Sequence, residues 1–266
     1  MIAGNGRFPI LALKAAREQG DEVVAIGIEG EASPEIEQLA AKCYWISLGA
    51  LSRLVEILKQ EGIREVLFAG QVKHVSIFST IRPDWRLAKL LLSLKRRNTS
   101  SLIGGVIQVL EEEGIQIADS TRLLKPLLAP EGVLTRRAPD ESEQADLAYG
   151  SEIAHALARF DIGQSVAIAE RACVAVEAME GTDAMLQRAA SLAKGRALRL
   201  VKSSAGRKHL LFDVPVVGPQ TIAVMKETGT TAMAVDAGRT LLLDRDEMLK
   251  AADRAGIAVL GVKPQE

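Results

Sequence analysis

The stretch EAMEGTDAMLQRA, residues 177–189, sets Glu177, Glu180, Gly181, Thr182 and Asp183 between an apolar β-like run and a helical one. Carboxylates at this density are the oxygen donors that magnesium takes, one or two of them completing a shell with phosphate oxygens and water. A glycine ahead of Thr-Asp also opens a helix whose free backbone N–H groups attract a phosphate. The same residues serve equally as an ordinary cap, because Thr182 or Asp183 at a helix start accepts backbone hydrogen bonds and complements the dipole. Residue types alone leave both readings open. A further acid, Asp213 in LFDVPVVG, stands between apolar neighbours. Burying it uncompensated would cost several kcal/mol, so it is expected to be paired, metal-bound or solvent-facing. Lys202 closes the run ALRLVK, and Arg207 and Lys208 follow in SSAGRK. Positive charge there either holds a phosphoryl group or is simply solvated.

A different chemistry lies in the glycine turns. IAGNGRFP leaves room for a short strand through Ala3, then Gly4, Asn5 and Gly6, then a helix whose first turn can hold Pro9. Glycines at a strand-to-helix turn let backbone N–H groups approach a phosphate, although Pro9 stands where a third glycine would complete the dinucleotide pattern. AGQVKH, with Gly70 and Gln71, follows the strand-like EVLFAG. The carboxyl edge of strands is where open α/β sheets bind ligands. The pair of turns is therefore either a nucleotide cleft or two tight turns. His74, His155 and His209 are widely separated and form no metal-ligand spacing, so each is taken as a surface or packing residue. No serine occupies a GxSxG turn, and nucleophilic catalysis by a side chain has little support.

The elements that must position these residues are of two kinds. Through the first 130 or so positions, β-branched runs (EVVAIGI 22–28, CYWISL 43–48, EVLFAG 65–70, IQIAD 115–119) alternate with helical ones. That alternation predicts parallel strands joined by crossover helices, a Rossmann-like α/β layer. KPLLAPEGVLTRRAPDESEQAD, 125–146, breaks the periodicity with prolines and charge and places a boundary near 135, giving domains 1–135 and 136–266. Beyond it a helix over about 142–158 leads into two apolar β runs separated by AER, a hairpin. A helix beginning near Asp183, the strand ALRLVK, a helix started by Pro219 and a turn at Ala237-Gly238 complete a mixed α/β domain.

Composition bounds the rest. The 266 residues are 48% hydrophobic and carry 33 basic against 34 acidic side chains, which fits a globular protein and excludes a whole-protein field for nucleic acid. Cys43 and Cys173 form no paired motif, in keeping with a reducing cytoplasm. MIAGNGRFP lacks the pattern of a secretory signal, and no apolar run reaches the roughly 18 residues of a membrane span. DWRLAKLLLSLKRR, 84–97, puts Leu87, Leu90, Leu91 and Leu94 at helical spacing beside a basic end, as either a core helix or a lipid-contacting one.

Taken in order and spacing, IAGNGRFP, AGQVKH, DIGQSV, VEAMEGTDAML, FDVPVVGPQTI and AVDAGRTLLLD resemble the LpxI family of UDP-2,3-diacylglucosamine pyrophosphatases, magnesium-dependent enzymes of lipid A biosynthesis. The resemblance covers almost the whole chain and implies a two-domain enzyme, usually dimeric, with its substrate cleft between the domains. Such an enzyme cleaves the diphosphate of UDP-2,3-diacylglucosamine to UMP and 2,3-diacylglucosamine 1-phosphate. It further implies that Ala3, Gly4, Asn5, Gly6, Gly70 and Gln71 face the UDP portion, that Gln164, Glu177, Glu180 and Gly181 touch substrate, and that Asp213, Asp183, Thr182 and Lys202 are catalytic. Asp213 and Asp183 would hold the magnesium. The family's loop of the form KxxKPxQDxRxD reads KSSAGRKHLLFD here, with Ala205, Lys208, His209 and Leu211 replacing Lys, Gln, Asp and Arg. Residues 203–211 therefore inherit no role, and Arg207 or Lys208 is left to restore the lost charge. Contact with the cytoplasmic face of the inner membrane is expected to be transient, with the acyl chains shielded near the leucine-rich helix. Two rivals remain: a non-catalytic sugar-nucleotide or lipid-binding protein, and a nucleotide-dependent oxidoreductase for which Glu29 is the one candidate ribose ligand.

Overall fold

The computed structural model describes residues 1–72, 82–94, 99–204, 211 and 213–264. The chain divides into two compact units, Met1–Leu124 and Lys125–Glu266, both of α/β type with parallel strands and helices.

In the first unit, β1 (Ile2–Ala3), β2 (Val24–Ile28), β3 (Lys42–Ile46) and β5 (Phe68–Ala69) form a parallel sheet in the order β3-β2-β1-β5. EVLFAG is expected as one strand, but it splits at Leu67. Its first half, β4 (Glu65–Val66), pairs with β6 (Gln116–Ile117), while the Leu67 carbonyl accepts from the Ile2 N–H at 2.9 Å and β5 pairs with β1. One segment thus serves two neighbours in succession. The strand expected over CYWISL, 43–48, starts one residue earlier, at Lys42, and ends two residues earlier, at Ile46.

Helices α1 (Phe8–Glu18), α2 (Ile36–Leu39), α3 (Leu51–Gln60), α4 (Trp85–Ser93) and α5 (Thr99–Glu112) complete the unit. Leu54 and Leu58 of α3, Leu87 of α4 and Leu110 of α5 meet Ile2, Ile26 and Val66 in one core. Asp84 caps α4 by accepting from the Leu87 N–H at 2.9 Å. Leu87 is buried and Leu90 and Leu91 pack beside it, so this face of the leucine-rich helix is core; Trp85 and Leu92, 67% and 83% exposed, point the other way. Its expected continuation over 95–97 lies outside the described residues.

A 3-10 segment, Arg122–Leu127, leads into the second unit. There β7 (Gly132–Val133), β8 (Ser165–Ala169), β9 (Ala172–Val176), β10 (Leu198–Lys202), β12 (Thr230–Asp236) and β14 (Ala258–Val262) make a mixed sheet in the order β7-β14-β12-β10-β8-β9. Strands β10, β12 and β14 run parallel, and β8, β9 and β7 join antiparallel. A parallel pair, β11 (Val216–Val217) and β13 (Leu241–Leu242), stands apart.

Alternation sorts the side chains of this sheet. Leu198 and Leu200 of β10 and Met233 and Val235 of β12 meet α7 (Thr182–Ala193), α8 (Pro219–Glu227) and α9 (Arg245–Ala255) on one face. Val201, Ala232 and Ala234 meet α6 (Glu141–Arg159) on the other. Each fully buried leucine of this kind contributes about 2 kcal/mol. Helix α6 opens with a capping box in which Asp140 accepts from the Glu143 N–H and Glu143 accepts from the Asp140 N–H, at 2.8 and 2.9 Å. The expected hairpin forms: Glu170 and Arg171 link β8 to β9 with φ of 51° and 58°, the double left-handed signature of a type I′ turn. Asp146 of α6 steadies it by accepting both their N–H groups, at 3.2 and 2.6 Å.

Candidate functional site

In the second unit the polar side chains collect at the carboxyl edge of β10 and β12. Register places Ser165, the first residue of the antiparallel β8, opposite Lys202, the last of β10. Glu177, one residue past β9, donates its N–H to the Ser165 carbonyl at 2.8 Å. Lys202, Ser165 and Glu177 fall on the face covered by α7, whose first residue is Thr182.

The Thr182 hydroxyl is the hub. Lys202 Nζ donates to Thr182 Oγ1 at 2.8 Å, Thr182 donates to Glu177 Oε1 at 3.2 Å, and Ser165 Oγ lies 3.1 Å away. An ammonium only donates and a carboxylate only accepts, so the one Thr182 proton goes to Glu177 and both lone pairs are filled, from Lys202 and from Ser165. A hydroxyl so saturated neither attacks nor gives a proton without dismantling its surroundings. Thr182 also fails to cap: Gly181, at φ 85°, is the N-cap, and among the described residues no side chain caps the first turn of α7. The capping role expected as one reading of Thr182 is thereby corrected, because its oxygen is spent on Lys202 and Ser165, whereas Asp183 does stand in the first turn, where an acid complements the helix dipole.

Lys202 and Glu177 are both buried, and Glu177 Oε2 has no hydrogen-bond partner among the described residues; neither does the neighbouring buried Ser203 Oγ. Asp183 is half-buried, and burial pushes its carboxyl above the ordinary range, with Lys202 opposing and Glu177 reinforcing the rise. Asp183 thus shares the electrostatics of Lys202 and Glu177. Asp213 joins through Gln164, whose side-chain Nε2 donates to Asp213 Oδ2 at 2.6 Å while its main-chain carbonyl accepts from the Ser203 N–H at 2.8 Å. Asp213 lies outside any strand and is half-buried and paired, which meets the requirement set by its apolar neighbours.

Glu180 is turned elsewhere. It accepts from Arg188 at 2.5 Å and from the Ala178 N–H at 3.0 Å; burial pushes its carboxyl up, but those bonds hold it below the ordinary range. Arg188 also reaches the Val176 carbonyl at 2.8 Å, so this pair braces the loop ahead of Gly181.

The first unit brings its two glycine turns together. Asn5 and Gln71 form an isolated bridge, N–H to carbonyl at 2.6 and 3.1 Å in the two directions, and the Gly4 N–H donates to the Ala69 carbonyl at 2.8 Å. A Cβ on Gly4 would stand 2.5 Å from the Gln71 carbonyl oxygen, and one on Gly70, at φ 86°, would overlap the Asn5 carbonyl. Gly6, at φ 93°, faces open space, and Ala3 is buried beneath. Packing thus requires Gly4 and Gly70 even without a ligand.

His74, Ala205, Arg207, Lys208 and His209 lie outside the described residues. His155, expected as a surface or packing residue, is buried against Asp236. Sequence reasoning passed over Ser165, Ser203, Ser204 and Asp236. The signal for Asp236 was present, since it ends the apolar run TAMAVD as oddly as Asp213 sits in its own. Among the described residues no helix is long and apolar enough to cross a membrane, and no three His, Cys, Asp or Glu form a metal-holding group.

Together these features define an α/β protein with a buried ammonium–hydroxyl–carboxylate network at the carboxyl edge of parallel strands. The chain belongs to the LpxI family: the model of the LpxI N-terminal domain matches residues 1–127 and that of the LpxI C-terminal domain residues 130–260. A relative from Caulobacter vibrioides, named UDP-2,3-diacylglucosamine pyrophosphatase LpxI, is 32% identical over 276 residues, covering 100% of this chain and 98% of its own. Two solved structures are also similar in part. The biotin carboxylase domain of a thermophilic 2-oxoglutarate carboxylase is 13% identical at a TM-score of 0.27, over 63% of this chain and 34% of that one. The corresponding domain from Hydrogenobacter thermophilus is 14% identical at 0.28, over 75% and 43%. Scores this low define no common fold.

Proposed function

We propose that the protein hydrolyses the diphosphate of UDP-2,3-diacylglucosamine to UMP and 2,3-diacylglucosamine 1-phosphate, a step of lipid A biosynthesis. The observation that carries this reading is the 32% identity, end to end, with a relative named for that substrate and activity. The network around Thr182 is the supporting chemistry. The Lys202 ammonium meets a hydroxyl that carries no counter-charge, so a diphosphate oxygen is its natural counter-ion. The first-turn N–H groups of α7, uncapped by any side chain among the described residues, offer donors to the same anion.

Asp213 and Asp183 would hold a magnesium ion, and the donor set fits, because that ion needs only one or two carboxylates besides phosphate and water. Glu177 Oε2, buried without a partner among the described residues, is a further hard oxygen for its hydration shell. When bound, the ion supplies charge neutralisation and an oriented water. The residues of the chain then work by position: Gln164 fixes the Asp213 carboxylate, and Thr182 fixes Lys202 against Glu177.

In this reading the first unit is a Rossmann-like layer whose Ala3, Gly4, Asn5, Gly6, Gly70 and Gln71 take the UDP portion. The enzyme is a homodimer in the cytoplasm. The outer face of α4, where Arg86 stacks 5.1 Å from the exposed Trp85 ring, touches the inner membrane transiently.

The test is UMP release from UDP-2,3-diacylglucosamine, with magnesium and with a chelator in its place. Asp213→Ala is expected to lower kcat about 1,000-fold with KM little changed. Absence of UMP release from the unsubstituted protein would overturn the function, and near-normal turnover by the variant would overturn the role of Asp213.

A further inference from the structure

On the opposite face of the same sheet edge lies a second buried polar cluster that the hydrolysis leaves unused. Asp236 ends β12 on the face covered by α6 and is 0% exposed; His155 of α6 is 7% exposed. His155 Nδ1 lies 2.7 Å from the Ser151 carbonyl, and Nε2 lies 3.2 Å from Asp236 Oδ1. A carbonyl brings no proton, so Nδ1 carries one. A neutral ring would then turn the Nε2 lone pair toward a fully buried carboxylate, and that charge would be left uncompensated. The arrangement favours an imidazolium facing the carboxylate, with Nε2 and Oδ1 at ion-pair distance though not aligned as a hydrogen bond. The other carboxylate oxygen, Oδ2, accepts from the Ser204 N–H at 2.8 Å and from Ser204 Oγ at 3.1 Å.

We propose that the buried His155–Asp236 ion pair is a clamp on the chain leaving β10, making both side chains positioning residues for the site at Lys202. Ser204 is two residues past Lys202, and Ser203 between them is tied to the Gln164 carbonyl, the same residue that holds Asp213. A shift of Ser204 is thus transmitted along a few bonds to the Lys202 ammonium and, through Gln164, to the Asp213 carboxylate. Displacements on the order of 1 Å at such groups cost about 100-fold in rate.

The charges that face the ring are few. From β12 comes Asp236, and from the turn beyond it Arg239, which disfavours the imidazolium. On this face β10 offers Arg199, which is 3.5 Å from Asp146 of α6, while β8 offers Val166 and Ile168. Lys202 alternates to the other face. Asp236 therefore dominates, and it raises the titration of His155 above the ordinary range against burial, which lowers it. A base with a raised folded-state pKa contributes stability fully below its unfolded value of about 6.5 and loses it as pH rises through the folded value. The clamp is closed below the ordinary imidazole range and opens as pH rises through the raised folded-state value.

The clamp rests on the proposed hydrolysis only for its effect on rate, and two readouts stand without it. The ring nitrogens of His155, followed by NMR in the unsubstituted protein and assigned with His155→Gln, should both be protonated at pH 7.5; a neutral ring there overturns the proposal. The Ser204 amide should be protected from hydrogen exchange, and protection should fall at least tenfold in His155→Gln and in Asp236→Asn. Unchanged protection in either folded variant is likewise fatal, and if neither variant folds the ring titration decides. With UMP release as readout, His155→Gln is expected to lower kcat about tenfold, leave KM within about twofold, and abolish the alkaline decline of kcat. If the unsubstituted protein releases no UMP while the ring is charged and Ser204 is protected, the hydrolysis fails and the clamp stands.

Discussion

The two candidate ligand regions are built from opposite materials. In the first unit the region is backbone: Asn5 and Gln71 bridge one another, and Gly4 and Gly70 are there because no side chain fits between the strands. In the second unit it is side chains, with a lysine, a threonine and a glutamate wired together beneath the sheet edge. The difference separates what packing can explain from what it cannot. Gly4 and Gly70 would be required by the close approach of two chain segments with no ligand present. A buried ammonium, and a buried carboxylate oxygen with no hydrogen-bond partner among the described residues, are a cost to the fold that close packing does not explain.

The sharpest way to break this contrast is Thr182→Val, which keeps the shape of the hub and removes its oxygen. Lys202 loses its acceptor and Glu177 its donor, so kcat for UMP release is expected to fall about 100-fold, ~3 kcal/mol of transition-state stabilisation, whereas Thr182→Ser keeps it within about threefold. If Thr182→Val lowers the melting temperature but leaves kcat intact, the network is architecture.

The same contrast decides how much could be read in the sequence. Apolar and β-branched runs bounded by turn residues announced most strands and the AER hairpin, because strands such as β8 and β10 are buried on both faces, and helical spacing announced the α6 helix. The split of EVLFAG at Leu67 was invisible, since it arises from which neighbour each half pairs with and not from the segment's own residues. Asp213, Lys202, Thr182 and Asp183 stood out as charged or polar residues beside apolar runs. Their wiring did not: that Ser165 faces Lys202 is a matter of antiparallel register, which no local pattern encodes. His155 was dismissed for lacking a sequence neighbour to pair with, and its partner proved to be Asp236, 81 positions along the chain and adjacent only through the packing of α6 on β12.

Within the first unit, Gly70→Ala and Gly6→Ala distinguish packing from binding. At Gly70 the added methyl meets the Asn5 carbonyl at a positive φ, and a loss of about 2 kcal/mol in unfolding free energy is expected. At Gly6 the methyl meets nothing within 4 Å, so only the φ of 93° opposes it, at about 1 kcal/mol. Denaturant melts measure both. If Gly6→Ala then weakens substrate binding more than stability, the open side of that turn is a ligand surface; if KM is unchanged, the turn is only a turn.

The smallest effect concerns strain. Every described residue of the first unit with positive φ is glycine, whereas the second holds Asp161, Glu170, Arg171, Lys194 and Asp244 in that region. Glu170 and Arg171 tolerate it because Asp146 accepts from both their N–H groups and the β8–β9 ladder fixes the turn. Arg171→Gly keeps the N–H and its bond to Asp146 while releasing the left-handed penalty of about 1 kcal/mol. Glycine's greater freedom in the unfolded chain takes back about half of that. The expected net is a gain of about 0.5 kcal/mol, or roughly 1–2 °C in melting temperature for a unit of this size, with no change in kcat. A fall in melting temperature would mean that the arginine side chain contributes more to the turn than its backbone strain costs, and that the second unit, unlike the first, holds its tight turns by side chains as it holds its site.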